Sequence, residues 1–83
     1  MWKIHYEKQP RKFLKKADKS LKIRILKSLQ DVLKNPRSNG KALTGGLNGL
    51  WRYRVGDYRI ICELKDKEIT ILVIEITHRK DAY

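Results

Sequence analysis

The stretch GLWRYRVGDYRIICEL, Gly49 to Leu64, constrains the fold more than any other part of the chain. Gly56-Asp57 suits a two-residue hairpin loop, because glycine enters the positive-φ region that such turns need. That turn sets the pairing on either side of it: Val55 faces Tyr58, Arg54 faces Arg59, Tyr53 faces Ile60 and Arg52 faces Ile61. Side chains alternate along a strand, so Trp51, Tyr53, Val55, Tyr58, Ile60, Cys62 and Leu64 share one face, the candidate core face. Arg52, Arg54 and Arg59 share the other with Glu63. Like charges directly opposite disfavour pairing by roughly 0.2–1 kcal/mol, so folding alone does not ask for Arg54 against Arg59. One reading is a solvated surface softened by Glu63. The other is an anion site, because guanidinium forks match phosphate oxygens and a sheet holds them rigidly.

The remaining elements follow from periodicity. Trp2 to Glu7 alternates large apolar with polar residues, as a half-buried strand does. Pro10 can open a first helix that carries Phe13, Leu14 and Ala17 on one side. Asp18 or Ser20 can cap a second helix, where Leu21, Ile25, Leu29 and Leu33 recur every four residues and Leu26 and Val32 widen the stripe. Asn35-Pro36 ends it. A Gly/Asn/Lys-rich connection runs to Gly49, followed by strand-like runs at Leu50–Val55, Tyr58–Leu64 and about Glu68–Thr77. The order β-α-α-β-β-β predicts one α+β domain over residues 1–83. A helical hairpin would cover one face of a small, mostly antiparallel, four-stranded sheet. The partner of the first strand is not legible.

A tight turn at Asp66-Lys67 would set Arg59 against Ile74 and carry Ile76 and His78 along the arginine side. The arginines would then lie over an apolar floor of Ile61, Leu72, Ile74 and Ile76. His78 would stand at its edge, with Arg79, Lys80 and Tyr83 just beyond the strand. Apolar lining with a few convergent charged groups is the usual composition of a ligand cleft. Other candidates read as structural: His5 sits on the polar side of the first strand, and Cys62 alternates with core residues. Neither these two nor His78 has metal-ligand spacing, and no metal or cofactor is expected.

The chain of 83 residues carries a formal net charge of +11. Residues 1–49 hold 13 Lys and Arg against 3 Asp and Glu, whereas residues 50–83 hold 7 against 6. A field of that sign attracts polyanions and acidic proteins, and most of it comes from the helical half. The lone cysteine excludes a disulfide framework and suits a reducing cytoplasm. No signal sequence is visible at MWKIHYEKQP, and the apolar run Ile69–Ile76 is far too short to span a membrane.

LTGGLNGLWRYRVGDYRIICEL followed by ITILVIEITHRKDAY resembles the RelE branch of the RelE/ParE toxin superfamily, the small basic toxins of type II toxin–antitoxin modules. The helices, including KFLKKADKSLKIRILKSLQDVL, also fit. The resemblance implies a microbial-ribonuclease-like sheet whose concave face is basic. It also implies a ribosome-dependent endoribonuclease that cuts messenger RNA in the decoding site. Arg52 and Arg54 match the family's basic pair on its second strand, Arg59 the arginine on its third, Arg79 the one after its fourth, and Tyr83 a C-terminal aromatic. Well-known members have lysines at the positions of Arg52 and Arg54. Arginine does not lose its proton, so these two cannot act as a general base.

The implied reaction is attack of the ribose 2′-OH on the adjacent phosphorus, without metal. Arg52, Arg54, Arg59 and Arg79 would grip the phosphate, with Lys80 adding RNA contact. His78 is the side chain near the cluster whose ordinary pKa lies closest to neutrality, which makes it a candidate base; it also reads as a surface residue closing a strand. Tyr83 is left to stack on a base or orient the 2′-OH. Two rival functions stand beside the ribonuclease. One is a ParE-like toxin that binds DNA gyrase; the resemblance implies that such toxins share the fold but generally lack this basic constellation. The other is a basic RNA- or ribosome-binding module without chemistry. The resemblance further implies an antitoxin partner whose acidic segment wraps the basic surface of a monomeric toxin.

Overall fold

The computed structural model describes residues 2–43 and 49–81. Tyr83 therefore lies outside the described residues. The elements in order are β1 (Lys3–Tyr6), α1 (Lys8–Lys16), α2 (Lys19–Lys34), β2 (Lys41–Ala42), β3 (Leu50–Val55), β4 (Tyr58–Lys65) and β5 (Thr70–His78). The α+β class and the element order agree with the sequence, and the two-residue β2 is an addition. Strands lie in the order β1-β5-β4-β3-β2. The first strand finds its neighbour in the last and runs parallel to it, with Lys3 beside Thr70 and Tyr6 beside Val73. The other pairs are antiparallel. Among the described residues, no helix is long and apolar enough to cross a membrane.

The helices pack on the face that alternation assigned to the core. Asp18 caps α2, its carboxylate accepting a 2.8 Å hydrogen bond from the Leu21 N–H. Ile25, Leu29 and Val32 of α2 and Leu14 of α1 are buried against Tyr53, Val55, Ile60, Cys62, Leu64, Ile71, Val73 and Ile76. Helix α1 starts two residues before Pro10, which is buried in the first turn, where its missing N–H costs no intrahelical bond. The chain leaving α2 is tied down by Tyr53, whose hydroxyl donates to the buried Pro36 carbonyl at 2.8 Å. Gly40, at φ +80°, lies so close to the Tyr53 ring and the Arg52 carbonyl that no Cβ would fit. Arg37 then forks onto Asp66 with two 2.8 Å hydrogen bonds and covers Trp51 at 5.9 Å.

The hairpin of β3 and β4 has the predicted register throughout, including Arg54 opposite Arg59. The next connection differs. Instead of a two-residue turn at Asp66-Lys67, residues Asp66–Glu68 form a single 3-10 turn and Ile69 follows in the left-handed region at φ 49°. Lys65 therefore pairs with Thr70. That connection is longer by two residues, which preserves the expected faces for Ile71 and Val73. Ile74 is then skipped: Cys62 faces Val73 while Ile61 faces Glu75. This bulge reverses the faces beyond it. Strict alternation from Ile71 and Val73 would have driven the Glu75 carboxylate into the core, at a cost of several kcal/mol. With the bulge, Ile76 is fully buried and Glu75 is exposed. The expected placement of Ile76 in the apolar floor, and of His78 on the arginine side, is therefore corrected: both lie on the helix-facing side.

The bulge also leaves the Ile76 backbone beyond the end of β1, and Gln9 takes the missing strand's place. Its amide donates to the Ile76 carbonyl at 2.8 Å and accepts from the Ile76 N–H at 2.9 Å. Gln9→Ala should cost about 2 kcal/mol, since it strands two part-buried backbone groups. Hydrogen exchange at the Ile76 amide should speed up more than at Ile60. Ile69 is a β-branched, exposed residue in a left-handed conformation, so Ile69→Asn should raise stability by about 1 kcal/mol in denaturant titrations.

Burial pushes the Cys62 thiol from its ordinary 9.0 up to about 12, and pushes the Tyr53 phenol upward as well. Both groups are neutral, folded or unfolded, well below pH 9. As pH rises from 9 toward 12 the unfolded chain releases protons that the folded chain retains. Folding stability should therefore fall progressively across that window, and Cys62→Ala should flatten part of the decline.

Candidate functional site

Two cross-strand rows build the basic face. Arg54 on β3 opposes Arg59 on β4, which opposes Thr77 on β5. In the next row, Lys41, Arg52, Ile61 and Glu75 lie side by side across four strands. Arg79 arrives from the 3-10 turn Arg79–Asp81 that follows β5. Its N–H donates to the Asp57 carbonyl at 2.8 Å, and its guanidinium stands 3.9 Å from the Asp57 carboxylate, with both side chains exposed. The hairpin corner thus holds the end of β5 through a backbone bond. The ion pair adds little at that exposure.

Arg54, Arg59 and Arg79 meet Gly56, Asp57 and Tyr58 around a hollow of about 150 Å³. Among the described residues, three arginines and the Asp57 carboxylate therefore line one hollow on a sheet-borne scaffold. Arg52 does not line this hollow. It lines a neighbouring cleft of about 430 Å³, between α2 and the β2–β3 edge, together with Arg54, Lys41 and Asp31. Arg54 is common to both spaces. Lys80 is exposed next to Arg79 and outside the hollow.

His78 occupies a different environment. It pairs with Tyr58, and their rings meet edge to face at 5.0 Å, while Phe13 of α1 meets the same Tyr58 ring at 5.5 Å. Its Nδ1 accepts a 3.1 Å hydrogen bond from the Lys80 N–H, which occupies one of the ring's lone pairs. His78 therefore supports the turn that presents Arg79, and it does not look into the arginine hollow.

The sequence reading missed two contributors. Asp57, taken only as a turn residue, is the anchor for Arg79. Glu75 joins the arginine face because of the bulge. A signal for it was present: Glu75 has the same alternation parity as Ile71 and Val73, an arrangement that a straight half-buried strand cannot accommodate. Cys62 is fully buried and holds its proton, so it supplies no thiolate. Among the described residues no three His, Cys, Asp or Glu side chains converge as metal ligands.

Comparison with known proteins places this geometry in a family. Residues 4–83 match the model of the ParE toxin of type II toxin–antitoxin systems, parDE. Toxin RelG of Mycobacterium tuberculosis is 32% identical over 53 residues, which span 64% of this chain and 61% of RelG. Toxin RelE of the same organism is 36% identical over 52 residues, 63% of this chain and 54% of that protein. The matched stretch thus spans less than two thirds of each of these curated relatives. In the archaeal RelE–RelB complex from Pyrococcus horikoshii, a chain 30% identical to this one superposes with a TM-score of 0.71, covering 98% of both chains. The RelBE2 toxin–antitoxin complex of M. tuberculosis contains a chain with a TM-score of 0.82 at 23% identity, covering 94% of this chain and 98% of that one. The chain belongs to the ParE toxin family of type II toxin–antitoxin systems, within the RelE/ParE superfamily.

Proposed function

We propose that this protein is the toxin of a type II toxin–antitoxin pair and acts as an endoribonuclease on messenger RNA in the ribosomal decoding site. The observation that supports this reading most is the convergence of Arg54, Arg59 and Arg79 on one hollow at the hairpin corner. The hollow receives the scissile phosphate. The 2′-oxygen attacks the phosphorus, a 2′,3′-cyclic phosphate forms as the bond to the 5′-oxygen breaks, and the departing 5′-oxygen takes a proton from water. The guanidinium groups stabilise the charge that builds on the phosphoryl oxygens, a contribution that is large when the donors are held in place beforehand. Arg52 holds the neighbouring backbone, and Lys80 and Tyr83 extend the RNA contact.

Arginine cannot take the 2′-OH proton. Two carboxylates, Glu63 and Glu75, share the arginine face, and Glu75 lies nearer Arg59 in register. Glu75 is therefore our acceptor in place of His78. The partner is an antitoxin, as in the RelBE complexes that share the fold. A net charge of +11 suits an acidic wrapping segment. We assign residues 1–83 to one toxin domain acting in the cytoplasm, where ribosomes are found.

A gyrase-binding function is the second reading, because the matching family model is that of ParE. Primer extension on a translated message after brief induction separates the two. Discrete codon-linked cuts support the ribonuclease; gyrase–DNA adducts without cuts would replace it. Arg54→Gln, Arg59→Gln and Arg79→Gln should each lower cleavage by about 10²–10³-fold. His78→Ala should lower cleavage less than Arg79→Gln does, because it only loosens the turn that presents Arg79. Glu75→Gln should lower it as far as the arginine variants do. Arg54→Gln should also stabilise the isolated protein, by roughly 0.2–1 kcal/mol, since it relieves the cross-strand repulsion. Equal activity of wild type and Arg79→Gln would overturn the mechanism.

A further inference from the structure

Gly56 satisfies two requirements. Its φ of +59° is the conformation that the hairpin turn needs. The space where a side chain would begin is also occupied, by a guanidinium from the helical layer. A Cβ on Gly56 would stand 2.8 Å from Nη2 of Arg24, 3.6 Å from its Cζ and 3.8 Å from its Nη1. Arg24 belongs to α2, next to the buried Ile25, and is itself exposed. None of the ion pairs among the described residues involves it. Gly56 is at the same time part of the wall around Arg54, Arg59 and Arg79. A fourth guanidinium thus lies beside Gly56, a residue of that wall.

We propose that Arg24 binds the phosphate next to the one held in the hollow, so that the RNA backbone crosses the hairpin corner toward α2. The proposal rests on the reading of the hollow as a phosphodiester site. A single-stranded RNA is a chain of anions, and one phosphate in the hollow brings its neighbour to the rim of the same wall. A guanidinium beside bare backbone, with no ion pair to a carboxylate among the described residues, meets that neighbour with two parallel donors. Glycine at position 56 is what admits it: any side chain there would displace Arg24 as well as strain the turn.

The test is binding of a short, uncleavable 2′-O-methyl oligoribonucleotide to the full chain, measured between about 50 and 200 mM salt. The variants are Arg24→Gln, Lys22→Gln and Arg54→Gln. Lys22 is an exposed cation on the same helix, so its loss matches the change in net charge. Arg24→Gln should weaken binding about tenfold, as loss of one charged hydrogen-bonded contact does. It should also reduce the slope of log K against log salt by about 0.7, while Lys22→Gln changes affinity less than Arg24→Gln does. Arg24→Lys should restore the slope and only part of the affinity. If Arg24→Gln behaves like Lys22→Gln while Arg54→Gln loses binding, the role of Arg24 is overturned and the hollow stands. If Arg54→Gln also binds normally, the phosphodiester reading itself has failed. A loss confined to Arg24→Gln but matched by a lower melting temperature would assign Arg24 to holding the corner together, and would overturn the proposal.

Discussion

Keeping the Glu75 carboxylate in water while burying Ile76 is the constraint on which the rest of the sheet depends. The two demands conflict with simple alternation along β5, and the bulge at Ile74 resolves them. One skipped residue then decides several features at once. It sends Glu75 and Thr77 to the arginine face and His78 to the helix face. It turns the Ile76 backbone toward Gln9, which completes the sheet edge that β1 leaves unfinished. It also sets the length and direction with which β5 delivers Arg79 to the hairpin corner, where the Asp57 carbonyl receives its N–H.

The arginine cluster is carried by a frame that does not need it. Directly opposed Arg54 and Arg59 work against strand pairing, yet they sit over a sheet whose other face is closed by fully buried Ile60, Cys62, Ile71, Val73 and Ile76. Burial of that apolar area supplies the stability, and the turn chemistry of Gly56-Asp57 supplies the register. The backbone positions from which Arg54 and Arg59 extend are consequently fixed side by side. Rigidity of this kind is what an electrostatic site requires, because donors that must reorganise lose much of their effect.

The opposite end of the sheet shows the same division of labour. The connection after α2 has little apolar content of its own and relies on side chains already placed by the core. Tyr53 reaches out to the Pro36 carbonyl, Gly40 fits beneath its ring, and Arg37 closes over Trp51 onto Asp66. The Arg37 guanidinium holds the Asp66 carboxyl below the usual carboxylate range. This anchoring keeps β2 against β3 and Lys41 beside Arg52, so the basic surface continues across the edge of the sheet.

Local chemistry in the sequence was enough to determine the order of the two helices and the four longer strands, a cap for α2 at Asp18 or Ser20, the buried stripe of α2 and the complete β3–β4 register. Each depends on a short-range signal: a capping side chain, a four-residue repeat, a glycine that accepts positive φ. Alternation along the same hairpin is also sufficient to put Arg52, Arg54 and Arg59 on one face. Tertiary structure alone decided the parallel pairing of β1 with β5, the separation of Arg52 from the hollow, the clasp of Gln9 on Ile76 and the approach of Arg24 to Gly56. These contacts join residues far apart in the chain, and no periodicity encodes them. His78 belongs to the same group, since a strand that is apolar on both faces leaves its parity to be settled by the cost of burying one carboxylate.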